Sequence, residues 1–532
     1  MLHHHNPYIA HYAQVMVIRL EQNILRISDY VFSFKCLKKI QMVTPTPSCA
    51  YHNIRIRTGE KRGGQERGEK FLLQNIKKIH FIGIGGAGMS AIAKVLLEMG
   101  YTISGSDLNE SETINKLKKS GAKIFTGHSL ENIQDVEAIV VSTAISESNP
   151  EVQGAKEQGI PIFHRSDMIA QLMLKYHGIA VAGAHGKTTT TAMIAVMLEH
   201  AGVDPTIIIG GEVDYLHGSA KLGKSQYLVA EADESDGSFL KYSPHIAVVT
   251  NIENDHMDFY KTMGNILHTF NQFLHKLPSE TGLGILCFDN AYIRDLAARL
   301  ERPYISYGID HDAQYMARNI RTQGAITTYD VYQEEELLGT LKINVPGRHN
   351  VANSLAAVIV GVTVGLTFAQ IVDGLSHFQG AKRRFQTKAR INGVWIIDDY
   401  AHHPTEITTT LLAARQTEPK RLICVFQPHR YSRTQFLREE FGRAFTPSDT
   451  LVITDVYAAG EQPIPGITGE TLKEEVERQT GMQVIYIADK DKVARYLRQI
   501  VEPGDLVMTM GAGNVYLVGE ELVELLMEKN KN

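Results

Sequence analysis

From about Asn75 onward, short apolar runs alternate with longer segments whose apolar positions recur at helical spacing. That is the pattern of strands buried on both faces of a parallel sheet and connected by helices. Lys78 to Ile82 is one such run; a helix to Met99, then Gly100 and a second strand at Tyr101 to Ile103, complete a βαβ unit. Ile179 to Ala182 is another, followed across a glycine-rich turn by a helix over Thr188 to His200 that stops near Gly202. Further strands are expected at Ala138 to Ile145, Tyr227 to Ala230 and Ile246 to Thr250. In the last third they are expected at Val394 to Ile397, Arg421 to Phe426, Leu451 to Thr454, Val484 to Ile487 and Leu506 to Met510. The fold class is therefore α/β. The longest apolar stretch, Leu355 to Val372, is interrupted by Thr363, Gly365, Thr367 and Gln370. It reads as two buried helices, one stopped by Gly365 and the next capped by Thr367, and not as a membrane span.

Length sharpens this picture, since 532 residues exceed one core and call for about three domains. A composition of 43% apolar and 21% charged residues belongs to an ordinary globular protein and excludes the disordered classes. The net charge of −5 conceals an asymmetry: residues 1–73 carry 11 Lys+Arg against 5 Asp+Glu. The remaining body is acidic and lacks the basic surface that nucleic acid requires, so neither nucleic acid nor a membrane is expected as a partner. Cys36, Cys49, Cys287 and Cys424 show no C-x-x-C or metal spacing and are read as reduced thiols of a cytoplasmic protein. Residues 1–73 have no glycine before Gly59, no sustained periodicity and no signal-peptide pattern. They suit a targeting or regulatory extension, but the preferred reading is a basic extension of which much is upstream sequence read in frame, with Leu72 or Leu73 as a candidate non-AUG start. An intact Met1 in protein from the source cells would refute that reading.

The chemistry concentrates at turns that follow strands. After Ile179 to Ala182, Gly183 and Gly186 let the backbone curl its N–H groups toward an anion, Lys187 reaches terminal phosphates, and Thr188 offers a hydroxyl to magnesium. This is a phosphate-binding loop, although the strict pattern would place glycine where Val181 stands. An earlier G-x-G-x-x-G, at Gly83, Gly85 and Gly88, with Asp107 beyond the second strand, suits a dinucleotide or any other diphosphate. Acidic clusters follow two further strands, Glu231 to Asp236 and Asn251 to His256. At the carboxyl ends of a parallel sheet they would face the phosphates, and Thr188, Glu231 and His256 form a plausible magnesium shell. Asn350 and Asn353, three apart, suit a base edge, although Asn350 equally suits helix capping. His164 to Asp167 is a polar cluster before a helix that reads equally as a solvated loop.

Eight motifs follow one another: H-F-I-G-I-G-G-A-G-M, A-G-A-H-G-K-T-T-T, E-A-D-E-S-D, N-I-E-N-D-H-M-D, G-x-H-N-x-x-N, R-R-F, D-D-Y-A-H-H-P and P-H-R-Y-S-R-T. With them the chain from about Asn75 to its end resembles the Mur ligases of bacterial peptidoglycan synthesis. The resemblance implies a Rossmann-like UDP-sugar domain over 74–175, a central P-loop ATPase domain over 176–380 and a Rossmann-like domain on the amino-acid side over 381–532. It leaves residues 1–73 outside. It further implies ATP and Mg2+, with UDP-N-acetylmuramate and L-alanine as substrates joined through an acyl phosphate, in a monomer or weak homodimer. By the same resemblance the UDP sugar contacts Gly85, Gly86, Ala87, Gly88, Met89, Ser106, Asp107, Ser142 and Thr143. The nucleotide contacts Gly183, Ala184, His185, Gly186, Lys187, Thr188, Thr189, Asn350, Asn353, Arg384 and Asp399. Thr188, Glu231 and His256 hold the metal, and Lys187, His256, His402, Arg430 and Arg433 act in catalysis. The nearest competing reading is the recycling ligase that attaches a preformed tripeptide to the same sugar. An NAD-dependent oxidoreductase would leave the Lys187 loop without purpose, and a non-catalytic regulator would leave Lys187, Glu231 and His256 without one.

Overall fold

The computed structural model describes residues 72–528. The reading of residues 1–73 therefore lies outside the described residues, apart from its last two, which stand in the short turn Leu72–Asn75; Leu73 is buried in the core.

Three sheets organise the described chain. The first contains β1 (Lys78–Ile82), β2 (Thr102–Asp107), β3 (Lys123–Thr126), β4 (Ala138–Val141) and β5 (Ile162–His164), all parallel, in the order β3-β2-β1-β4-β5. The second contains β6 (His177–Ala182), β7 (Thr206–Val213), β8 (Gly218–Lys221), β9 (Tyr227–Glu231), β10 (Ile246–Val249), β11 (Leu283–Cys287), β12 (Tyr304–Gly308), β13 (Tyr315–Gln323), β14 (Ile326–Gln333) and β15 (Glu336–Ile343). Its order is β15-β14-β13-β12-β11-β10-β6-β9-β7-β8. The third contains β16 (Gln386–Ile391), β17 (Val394–Asp399), β18 (Arg421–Phe426), β19 (Thr450–Ile453), β20 (Val484–Tyr486) and β21 (Asp505–Met510), in the order β16-β17-β21-β18-β19-β20.

In the second sheet β10 and β9 flank β6 on opposite sides, and in the first β2 and β4 flank β1 in the same way. A strand whose neighbours are reached by crossovers in opposite directions leaves a crevice at its carboxyl end, where α/β proteins bind ligands. The phosphate loop leaves β6 and the first glycine loop leaves β1, so both emerge at such crevices.

The helix of residues Ala87–Glu98 packs on β7 and β8, and one continuous apolar core runs from Leu73 to Ala381 beneath the first two sheets. The third sheet carries separate apolar clusters on its two faces. Helices Arg348–Thr363 and Phe368–Ser376 take the Leu355 to Val372 stretch, with Thr367 in a capping box with Gln370. Among the described residues no helix is long and apolar enough to cross a membrane.

Alternation alone did not reveal the antiparallel β13-β14-β15 ribbon, the β7-β8 pair or the antiparallel edge strand β16. Apart from the run Ile207 to Ile209 in β7, their strands mix polar and apolar positions and lack a continuous apolar run.

One polar network is sealed within the first sheet. Glu151 is fully buried; it accepts from Ser106 Oγ at 2.6 Å and Asn132 Nδ2 at 2.7 Å, and His80 Nε2 stands at 3.5 Å. Burial by itself would raise this carboxyl, but hydrogen bonds from His80, Ser106 and Asn132 outweigh it and hold the group at about 2. A carboxylate depressed in the folded state contributes stability that is present above its ordinary value near 4.5 and lost as pH falls toward 2. Glu151→Gln is therefore expected to cost about 3 kcal/mol at pH 7 and to flatten the loss of stability between pH 5 and 2. Urea unfolding followed across that range checks both.

Candidate active site

The phosphate loop is shaped by its backbone. Gly183 and Gly186 have φ of 135° and 82°, in the left-handed half of conformational space that side chains disfavour. Asn251, at the end of β10, clamps the loop: its Oδ1 accepts from His185 N–H at 2.8 Å and its Nδ2 donates to His185 O at 2.9 Å. Thr250 Oγ1 donates to the same carbonyl at 2.6 Å. Helix Lys187–His200 follows with no side chain capping it, and so does helix Ala87–Glu98 after the first glycine loop. Uncapped helix starts aim free N–H groups and the positive end of the helix dipole at an anion.

Lys187 Nζ donates to Gly183 O at 2.6 Å, Ala184 O at 3.2 Å and Glu234 Oε1 at 2.8 Å. Burial would lower the lysine, yet the carboxylates of Glu234 and Asp233 outweigh this and keep it protonated. Glu231, at the end of β9, touches the Thr188 hydroxyl and accepts from Gly210 N–H at 2.7 Å; burial pushes its carboxyl up. His256 takes a left-handed backbone (φ 55°) and faces Asp255 Oδ2 at 3.5 Å and Glu234 Oε1 at 3.7 Å. Of the proposed metal trio, Thr188 and Glu231 are in contact, and His256 joins them through Glu234 and Lys187. Glu234 Oε2 is buried without a hydrogen-bond partner. An orphaned carboxylate oxygen within reach of the Asp233 charge is a donor that suits a hard divalent cation.

A cavity of about 240 Å³ opens beside the loop. It is lined by His185, Gly186 and Thr189 from the loop, Asn350 and Asn353 from helix Arg348–Thr363, and Arg384, Asp399 and Glu406 from the third sheet's side. The helix begins after Gly347, so Asn350 does not cap it; its Nδ2 donates to Pro346 O at 2.7 Å. Asp399 accepts from Phe385 N–H at 2.7 Å and Ala401 N–H at 2.8 Å, and burial nevertheless pushes its carboxyl up to about 6. Arg384 lies over the Tyr400 ring, 3.9 Å from Glu406 Oε1.

His185 ties the loop to the third sheet's helix Pro404–Arg415: its Nδ1 is 3.1 Å from Glu406 Oε1 and its Nε2 is 3.4 Å from Glu253 Oε2. Burial would lower this imidazole, but the Glu406 charge and hydrogen bonds to Glu253 and Glu406 raise it to about 10. The ion pair is therefore complete below pH 6.5 and lost as pH rises through about 10. In an NMR titration His185 is expected to stay protonated at pH 8, and in Glu406→Gln to titrate closer to an ordinary histidine.

His402 is held down to about 4 by burial despite Glu406, so it is neutral at pH 7. Its Nδ1 lies 3.0 Å from the Tyr400 carbonyl, which only accepts, so the lone pair is on Nε2. Arg433 Nη1 stands 3.3 Å from His429 Nδ1 and its charge reaches Asp255 and His402. Arg430 is exposed, with φ 69°.

At the first glycine loop Gly86 and Ala87 are exposed and Gly85 and Gly88 half-buried, with Ser142 half-buried and Thr143 exposed at the end of β4. Three of the residues expected at this loop already have partners within the fold. Ser106 is fully buried and its hydroxyl serves Glu151 and His128, turned away from the loop surface. Met89 is buried in the core under the loop. Asp107 supports the loop itself, its Oδ2 accepting from Gly85 N–H at 2.9 Å.

Sequence reasoning named Arg165, Glu234 and Asn251 only as members of polar clusters, without a role of their own, and passed over Glu406. Arg165 Nη2 reaches Asp233 Oδ2 at 2.6 Å, and a Cβ on Gly88 would lie 3.0 Å from its Nη1, so this one side chain links the two glycine loops. The available signal was weak: Arg165 and Glu406 each stand in the first turn of a helix with a capping box, where polar residues are ordinary.

Two uncapped glycine loops that meet across Arg165, beside a cavity shared by the second and third sheets, are the arrangement of anion sites expected of a nucleotide-dependent transferase or ligase. Family models agree over most of the chain: "Mur ligase family, catalytic domain" matches residues 78–177, "Mur ligase middle domain" 181–361 and "Mur ligase, glutamate ligase domain" 383–513. The chain belongs to the Mur ligase family. It is 49% identical to the UDP-N-acetylmuramate--L-alanine ligase of Pelotomaculum thermopropionicum over 86% of this chain and 99% of that one. The solved UDP-N-acetylmuramate-alanine ligase MurC of Thermotoga maritima superimposes with TM-score 0.74 at 28% identity, covering 85% of this chain and 99% of that one. The murein peptide ligase of Psychrobacter arcticus follows with TM-score 0.63 at 26% identity, covering 85% and 98%.

Proposed function

We propose that this chain joins the lactyl carboxylate of UDP-N-acetylmuramate to the amino group of L-alanine at the expense of ATP, in the cytoplasm. The observation that carries the reading is the short connection from Gly88 through Arg165 and Asp233 to Lys187, which sets the sugar-side loop against the ATP-side loop. Lys187 holds the terminal phosphate. A carboxylate oxygen attacks the γ-phosphorus, the bond to the β-phosphate oxygen breaks, and ADP leaves an acyl phosphate. The amine nitrogen then attacks the acyl carbon, gives up its proton, and the tetrahedral intermediate expels phosphate.

Both steps build negative charge between anions, and preorganised cations lower their barriers. Arg433 and Arg430 supply such charge from the third sheet. His402, neutral with an open Nε2, accepts a hydrogen bond from the incoming amine and orients it. Asn350, Asn353, Arg384 and Asp399 line the pocket for the base and ribose. Thr188, Glu231 and His256 are assigned to magnesium, which offsets charge on the triphosphate.

Phosphate release from ATP, with UDP-N-acetylmuramate and with or without L-alanine, tests the reading. Dependence on both substrates supports it. Release that ignores L-alanine and responds to a tripeptide moves the chain to the activity named for the Psychrobacter relative.

A further inference from the structure

The phosphate-loop helix carries a second cluster at its far end. His200, its last residue, meets Asp373 and His377 at the end of helix Phe368–Ser376, and one ligand atom from each lies within 4.8 Å of the others. Along the helix this is about 20 Å from Lys187, well away from the carboxylates that face the triphosphate.

We propose that His200, Asp373 and His377 form a binding site for a divalent transition-metal ion of the zinc class. Two imidazoles and one carboxylate are a donor set that favours zinc, whereas magnesium favours oxygen donors throughout. The surroundings prepare both imidazoles. His377 Nδ1 lies 2.9 Å from the Asp373 carbonyl oxygen, which only accepts, so His377 carries its proton on Nδ1 and its lone pair on Nε2. His200 Nε2 lies 3.0 Å from Asp373 Oδ2, which only accepts, so His200 points Nε2–H at it, and its Nδ1 lies 2.9 Å from the Tyr215 hydroxyl; an ion entering between His200 and Asp373 takes the place of that proton. Ligating histidines are held in this way, by a partner on the other ring nitrogen.

The two rings are stacked, 3.7 Å between centroids and 21° apart. Two imidazole nitrogens on a tetrahedral zinc stand about 3.3 Å apart with their lone pairs converging at about 109°, so the rings must rotate out of the stack for both to reach one ion. Asp373 is the exposed member, which gives an ion access from solvent. The backbones are already in register: a Cβ on Gly374 would lie 2.9 Å from Met197 Cα, so an ion would tie together two helices in direct contact. The ion would act as a staple across the helix end, the turn Asp214–Leu216 and the second helix.

The test titrates zinc into the full chain, without nucleotide or magnesium, by calorimetry and thermal unfolding. His3, His4, His5 and the His185, Glu253 and His403 group also offer donors, so the result is read as a difference between variants. Wild type is expected to bind one more equivalent of zinc than His377→Ala or Asp373→Asn, and to gain about 3 °C or more in midpoint that both variants lack. Asp373→Asn conserves size at an exposed position and keeps the test valid should His377→Ala fold poorly. Equal stoichiometry and equal midpoint shift in wild type and both variants would overturn the site. A shift that magnesium alone reproduces in wild type and not in the variants would overturn the assigned metal class.

Discussion

Lys187→Ala is expected to lower turnover by about 10³-fold, close to the full value of a donor placed on developing phosphoryl charge. The same change should destabilise the protein by about 3 kcal/mol, because Glu234 is only 3% exposed and loses its principal counter-charge. The two effects separate. Adding Glu234→Gln to Lys187→Ala removes the uncompensated buried charge, so the unfolding midpoint should recover while turnover stays low. Steady-state phosphate release and urea unfolding on the single and double variants provide the comparison. A single variant with turnover within tenfold of wild type would contradict the role given to Lys187.

Gly183→Ala should weaken nucleotide binding by a different route. A Cβ there would lie 2.2 Å from Thr250 Oγ1 and 3.0 Å from both the backbone nitrogen and oxygen of Asn251, at a φ of 135° that alanine disfavours. Neither neighbour can yield cheaply, since Thr250 and Asn251 are the residues that clamp the loop through the His185 carbonyl. Overpacking and backbone strain together predict a loss of about 3 kcal/mol or more, with the loop displaced from its clamp. ATP affinity by calorimetry should fall at least tenfold, even where the variant remains folded by circular dichroism. Wild-type affinity in a folded variant would show that the loop tolerates the displacement.

These outcomes follow from local chemistry that is legible along the chain. An apolar strand, a glycine turn, Lys-Thr and a helix are consecutive, so β6, the loop and helix Lys187–His200 are set by neighbouring residues. The same holds for β1 with its glycine loop, for the parallel strands of the third sheet and for the capped start at Thr367. Strands that lie half-exposed, such as β13 to β15, carry no such signature, because cross-strand partners and not sequence neighbours stabilise them.

Asn251, Arg165 and Glu406 were hidden for a related reason. Each acts on a residue 66, 68 or 221 positions away in the chain. Their own neighbourhoods look like strand ends and helix caps. Ser106 and Met89 adjoin a glycine-rich motif and are nevertheless buried, since alternate residues of a strand and the inner face of a helix are buried whatever motif they follow.

The sequence alone determined the α/β class, the family, the two glycine loops and the Lys187-Thr188 pair that follows the second of them, because these depend on order and spacing along the chain. The tertiary structure decided which charges face which: His185 held as a cation by Glu406 and Glu253, His402 kept neutral, Arg165 joining the two loops, and His200 brought to His377. Those properties arise from burial and from distances of a few ångströms between residues far apart in sequence, and both exist only once the sheets have packed.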